Sequence, residues 1–219
     1  MFELPLFPLN TVLFPGMSLS LHIFEERYKL MIGRCIEANQ PFGAVLIKTG
    51  SEVLSLRQTV KPFLIGSMAQ ITQVQSLSAG RLNITAIGQE RFRILSLRRD
   101  QAYLVGQVES YPLDMDHSEA VGRSARLLRP WVERYLGVLE QTEKTQIDLR
   151  QLPQNDLALA YYAAGLLKIS LPQKQNLLAL SNAAELTEQV RMLYRKEVTL
   201  LKALLFQPEH EQEGPFSLN

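Results

Sequence analysis

Apolar and polar residues alternate over Ser18–Ile23. Leu19, Leu21 and Ile23 share one face and His22 lies on the other, which predicts a half-buried strand. The period then lengthens: Tyr28, Met31, Ile32, Cys35 and Ile36 recur at helical spacing. Glu25 and Glu26 suit the positive end of that helix dipole, and Asn39-Gln40-Pro41 supplies a stop. A short apolar run at 42–47 predicts a buried strand. Further strands are predicted at 63–75, 81–87, 91–97 and 103–111, with Ser78-Ala79-Gly80 as a hairpin turn. Strands spaced this closely favour a small barrel or a strongly twisted sheet, which protects its edges by curling.

The pattern changes near Pro112. Residues 113–117 form a polar junction, which divides the chain into a β-domain with one helix (1–113), a helical bundle (114–207) and a polar tail (208–219). Asp116 and Glu119 are spaced as a capping pair for the first bundle helix. Its apolar stripe runs through Val121, Ala125, Leu128, Val132, Tyr135 and Leu139. Pro130 lies inside that stripe and predicts a kink or break, because an interior proline costs about 3 kcal/mol or more. A second helix is expected from near Pro153. It is apolar almost all round from Leu157 to Leu167, so it should be the central one. A short helix follows Pro172. The last begins at an Asn182/Glu185 cap pair and runs to about Leu205, with Leu186, Val190, Leu193, Leu200 and Leu204 inward.

Composition narrows the function classes. The chain has 219 residues, 46% of them hydrophobic, enough for one large core or two small ones. A formal net charge of +1 gives no global field toward nucleic acid or an acidic membrane. Cys35 is the single cysteine, so no intramolecular disulfide and no multi-thiolate zinc site can form. The first residues lack a basic leader, and no apolar run approaches the roughly 20 residues of a membrane span. A cytoplasmic setting without a membrane partner is the resulting expectation.

A search for chemistry finds little. There is no phosphate loop and no dinucleotide-binding glycine pattern. His22, His117 and His210 are scattered, and the stretch from His210 to Gly214 fails the zinc-protease pattern. Asp114, Asp116 and His117 lack the glycine and the later glutamate of a calcium loop, and read as a linker with a helix cap. Cys35 sits on the apolar helical stripe and reads as core. Arg91, Arg93, Arg98 and Arg99 gather on one predicted strand, with Arg91 and Arg93 on one face and Phe92 opposite. Such a stripe could follow a phosphate backbone. Glu90 and Asp100 dilute it, so a solvated or salt-bridged face is expected. No catalytic residue, metal or cofactor is expected.

One ordered set of motifs goes further. Leu4-Pro5-Leu6, Phe14-Pro15-Gly16 and Leu21-His22-Ile23-Phe24-Glu25-Glu26-Arg27-Tyr28 follow one another. After them come residues 42–47 and 65–71, then Gly88 with Arg91-Phe92-Arg93-Ile94. Leu171, Pro172, Lys174, Gln175, Leu177 and Leu178 continue the order in the helical half. Together these closely resemble the Lon protease N-terminal domain family. The resemblance implies an α+β fold: a PUA-like β-barrel or twisted sheet followed by a C-terminal helical bundle. It also implies recognition of unfolded or tagged polypeptides, alone or beside an ATPase or protease partner. Neither an ATPase phosphate loop nor a Ser-Lys dyad is present, so a stand-alone, non-catalytic recognition domain is expected. The residues put forward for protein contact are His22, Phe24, Glu25, Arg27, Arg91 and Arg93. Side-chain character alone places Phe24 with Tyr28 in the core. The cleft between barrel and bundle is the expected binding surface. The rival readings are an RNA-binding PUA-like module using the 91–99 strand, and an enzyme with a convergent polar pocket. Clients and oligomeric state are not legible.

Overall fold

The computed structural model describes residues 1–50, 60–115, 118–143 and 149–205. Their element order is β1 (Phe2–Leu9), β2 (Ser18–Ile23), α1 (Glu26–Glu37), β3 (Phe42–Thr49), β4 (Lys61–Pro62), β5 (Ile65–Ser76), β6 (Leu82–Arg98) and β7 (Leu104–Ser110). The helices α2 (Ser118–Glu143), α3 (Asp156–Leu166), α4 (Leu171–Ala179) and α5 (Ala183–Leu205) follow. This is the expected α+β order of a β-rich half followed by helices.

The sheet closes on itself. Its path runs β1-β7-β6-β5-β3, and β1 pairs again with β3, so five strands form a ring. The β1–β3 pairing is parallel and the other ring pairings are antiparallel. Closure leaves those five strands without a common free edge. β2 lies along the first half of β6, and β4 extends β3. The sheet's two faces carry separate cores. Leu4, Leu6, Val45, Phe92, Ile94, Leu104 and Val108 pack together on one face. On the other, Phe7, Phe42, Ile84 and Val105 meet Tyr28, Met31, Ile32 and Cys35 of α1. Burial pushes the Cys35 thiol up to about 11, as expected of a core cysteine.

Several expectations are corrected. The segments 81–87 and 91–97 are one 17-residue strand, because β6 trades β2 for β7 as its neighbour while β5 runs along it. β1 is a strand despite Pro5 and Pro8. Its pairings with β7 and β3 overlap only at Leu6, so each proline faces one neighbouring strand and can turn its nitrogen away. Ile36 is 40% exposed, outside the helical stripe. α2 runs through Pro130 without a break. Leu128, Val132 and Tyr135 on either side are buried against the bundle and hold the helix together. α3 starts after Asn155, whose side chain accepts from the Ala158 N–H, rather than at Pro153. Asn182 caps α5 as expected, accepting from the N–H groups of Ala184 and Glu185. The buried stripe of α5 is Leu186, Val190, Tyr194 and Val198, while Leu200 faces solvent. The burial of Leu204, the Asp116 cap and the 208–219 tail lie outside the described residues.

Candidate functional site

The loop between β1 and β2 builds the junction from below. Gly16 has φ +79, which lets the chain turn into β2. The Gly16 N–H donates to the Gly88 carbonyl at 2.8 Å and the Gly88 N–H to Met17 at 2.9 Å. A Cβ on Gly88 would run into the Phe14 carbonyl. The loop is thus pinned to the middle of β6, and the Ser67 hydroxyl holds the Leu13 carbonyl at 2.6 Å. Phe14, fully buried, leaves the barrel and enters the helical core beside Tyr161, ring centroids 6.4 Å apart.

Arg91 closes the junction from above. It is 2% exposed and donates to the carbonyls of Leu178 and Leu180, both at 2.6 Å. These lie at the C-terminal end of α4, where carbonyls lack helical partners and the dipole favours a cation. Arg91 also lies 4.9 Å from the Tyr111 ring, whose other cation is Arg93 at 4.3 Å. The Tyr111 hydroxyl reaches the Ala179 carbonyl. Asp114 bridges to the α4–α5 turn through Ser181 and Ala183. Burial lowers the Arg91 pKa from the ordinary guanidinium value, and the nearby Tyr161 and Tyr111 hydroxyls oppose that shift.

Beside this closed junction lies an open groove of about 710 Å³. One wall is the chain from Lys61 to Ile65, and Leu97 and Arg99 continue the barrel side. The other wall is α4, through Gln175, Asn176 and Ala179. Gln175 fixes the wall by donating to the Ile65 carbonyl at 3.0 Å. Leu64 lines it and is 59% exposed, with Leu127 the most exposed large aliphatic side chain after Met1 among the described residues. The groove is the cleft expected between barrel and helices. Its own side chains were not among the proposed contacts. Lys61 opens the two-residue β4 and Leu64 precedes β5, and so short a stretch carries no hydrophobic period.

The proposed contact residues do not converge. His22 is exposed as expected. Its Nδ1 lies 2.7 Å from Asn83 Oδ1, and Asn83 in turn reaches Gln75, forming a polar row across β2, β6 and β5. This row lies in a second, open depression of about 730 Å³. Phe24 stacks on His22 with centroids 5.9 Å apart and is 56% exposed, so the core placement read from its side chain is corrected. Glu25 and Arg27 form the expected local ion pair at 2.9 Å, with Arg27 4.3 Å from the Tyr28 ring. Arg91 and Arg93 lie further along β6, about 26 Å and about 33 Å of extended strand away from Asn83.

The basic strand is corrected at one position. Arg91 is buried where a solvated or salt-bridged face was expected, because α4 packs over it, whereas Arg93 and Arg98 are salt-bridged as expected. Arg93 pairs with Glu109 at 3.4 Å, and Arg98 pairs with Glu3 and Asp100. The four arginines therefore present no shared basic track. Among the described residues no group of His, Cys, Asp and Glu is placed to hold a metal, and no helix is long and apolar enough to cross a membrane.

Residues 3–195 match the family model described as the ATP-dependent protease La (LON) substrate-binding domain. The chain is 26% identical over 211 residues to Lon protease 2 of Herpetosiphon aurantiacus, covering 91% of this chain and 24% of that protein. It is 28% identical over 208 residues to the LON peptidase N-terminal domain and RING finger protein C14F5.10c of Schizosaccharomyces pombe, covering 83% and 43%. The chain thus spans a quarter to under half the length of these relatives. A crystal structure of a Lon N-terminal domain protein from Xanthomonas campestris superposes with a TM-score of 0.59 at 27% identity, over 87% of this chain and 97% of that one. The N-terminal domain of the Mycobacterium avium complex Lon protease shares the fold, with a TM-score of 0.63 at 18% identity, over 89% and 98%.

Proposed function

The chain belongs to the Lon substrate-binding domain family, and from that premise we propose that it grips exposed apolar polypeptide segments in the groove between Lys61–Ile65 and α4. The observation that supports this reading is Leu64, 59% exposed in a groove whose two walls are tied together by the Gln175 side-chain amide donating to the Ile65 carbonyl. An aliphatic residue left in water at a rigid concave surface offers apolar area to a partner. Covering about 300 Å² would give roughly 7 kcal/mol gross at ~25 cal/mol/Å². Lost translational and side-chain freedom removes much of it, so a single groove binds weakly. Useful capture then needs several copies or a tethered machine that adds a second contact.

Lon protease 2 and the RING finger protein carry this region within much longer chains. Docking to a larger proteolytic or chaperone machine is therefore part of the proposal. The RNA reading is not favoured, since Arg91 is buried and Arg93 and Arg98 are taken by carboxylates.

Titration of a fluorescent, extended peptide with a Leu/Ile/Val core tests the reading. Wild type should bind, and Leu64→Asp should lose most of the affinity without a change in melting temperature. Equal binding by the two proteins, or no binding by either, would remove it.

A further inference from the structure

The groove carries a charge pattern that its apolar floor does not require. Lys48, Lys61 and Arg99 stand around Phe63, Leu64 and Leu97, and no acidic side chain lines the groove among the described residues. All three cations are exposed. Lys48 lies 5.9 Å from the Phe63 ring, and Arg99 donates one nitrogen to the Val60 carbonyl at 2.8 Å. No carboxylate pairs with any of them among the described residues. The neighbouring Asp100 is already engaged by Arg98 at 2.6 Å. Arg27, Lys29, Arg93 and Arg98 elsewhere in this half differ, each holding a glutamate or aspartate.

We propose that the groove selects polypeptide segments in which aliphatic residues are flanked by internal Asp or Glu side chains. This inference rests on the groove being the polypeptide site and adds the class of segment it prefers. Three like charges around one apolar strip repel one another and attract an opposite charge. A carboxylate beside a buried aliphatic side chain would answer them, while a basic segment would add to the repulsion. The cations are in solvent, so each contributes modestly and the preference fades with salt.

The test uses four peptides sharing one aliphatic core, with amidated C-termini: Glu-flanked, Gln-flanked, Lys-flanked and, as a fourth arm, Gln-flanked with a free C-terminal carboxylate. Binding is read by fluorescence anisotropy at low and at high salt. The Glu-flanked peptide should bind about three- to tenfold tighter than the Gln-flanked one at low salt, and the gap should shrink at high salt. The paired Lys48→Glu and Lys61→Glu replacements should reverse the order of the Glu- and Lys-flanked peptides. Circular dichroism should show the doubly substituted protein folded, since both side chains are exposed. Equal binding of the Glu- and Gln-flanked peptides overturns the selectivity and leaves apolar recognition standing. Tight binding of the free-carboxylate arm alone overturns it in favour of chain-end recognition. Loss of all binding in wild type removes the groove as a polypeptide site altogether.

Discussion

On the closed side of the barrel–helix junction, Arg91 is 2% exposed and one of its guanidinium nitrogens, Nη1, donates to two helix-end carbonyls. On the open side, Lys48, Lys61 and Arg99 stand in solvent around Leu64. α4 is shared by both: Arg91 holds its C-terminal end, while Gln175 and Asn176 line the groove. Cationic residues of one junction thus do opposite things. What differs is the packing over them. A covered arginine must find acceptors within the protein, whereas an uncovered one keeps its charge available. A basic motif read from sequence therefore says nothing about binding until its cover is known.

The comparison can be broken hardest at Phe14. Phe14→Ala removes the ring that carries the barrel loop into the helical core. It should cost about 3–5 kcal/mol and lower the thermal midpoint by roughly 10 °C. A melt within a degree of wild type would show that the closed side does not depend on that ring. Next is Arg91→Met, which keeps much of the volume and strips the donor from the Leu178 and Leu180 carbonyls. Urea unfolding should report a loss of about 2–3 kcal/mol, and groove affinity should fall with it as α4 loosens. A protein equally stable without the guanidinium would move Arg91 out of its locking role.

Cys35 gives a smaller, pH-dependent effect within the barrel core. Its folded-state pKa is raised from 9.0 to about 11, so the folded state holds the thiol proton more tightly than the unfolded one. This contribution is fully present below about pH 9 and is lost as pH rises toward about 11. Cys35→Ala should flatten that part of the stability–pH curve. An unchanged slope would assign the alkaline loss to other groups. Smallest of all is Lys61→Ala on the open side, where the melt should stay within about 0.5 kcal/mol of wild type. A larger loss would mean that the open side also supports the fold.

Much of the fold was legible because burial imposes a period. β2 and α1 declared themselves by alternation and by helical spacing, and α3 by its lack of a polar face. β1 was not, because Pro5 and Pro8 erase the strand signal and only the partial overlap of two partner strands makes them tolerable. The unbroken β6 was missed for a related reason: a strand that changes neighbours halfway shows no break in its backbone, only in what surrounds it. At the site, the cleft's location followed from the order of elements. Its residues did not, since Lys61, Leu64 and Asn176 meet only after the helices fold back. Arg91 was singled out for its charge, while its partners lie 87 and 89 residues further along the chain.

The closing of the five-strand ring sets an order of events during synthesis. β1 is the first stave made, yet it bridges β3 and β7, and β7 ends at Ser110. As the ribosome delivers the chain, β1 can join β3 early but gains its second neighbour only once Leu104–Ser110 has emerged. Until then its apolar side chains wait with one flank unprotected, so the first stretch of the ring to be made is among the last to be covered on both sides.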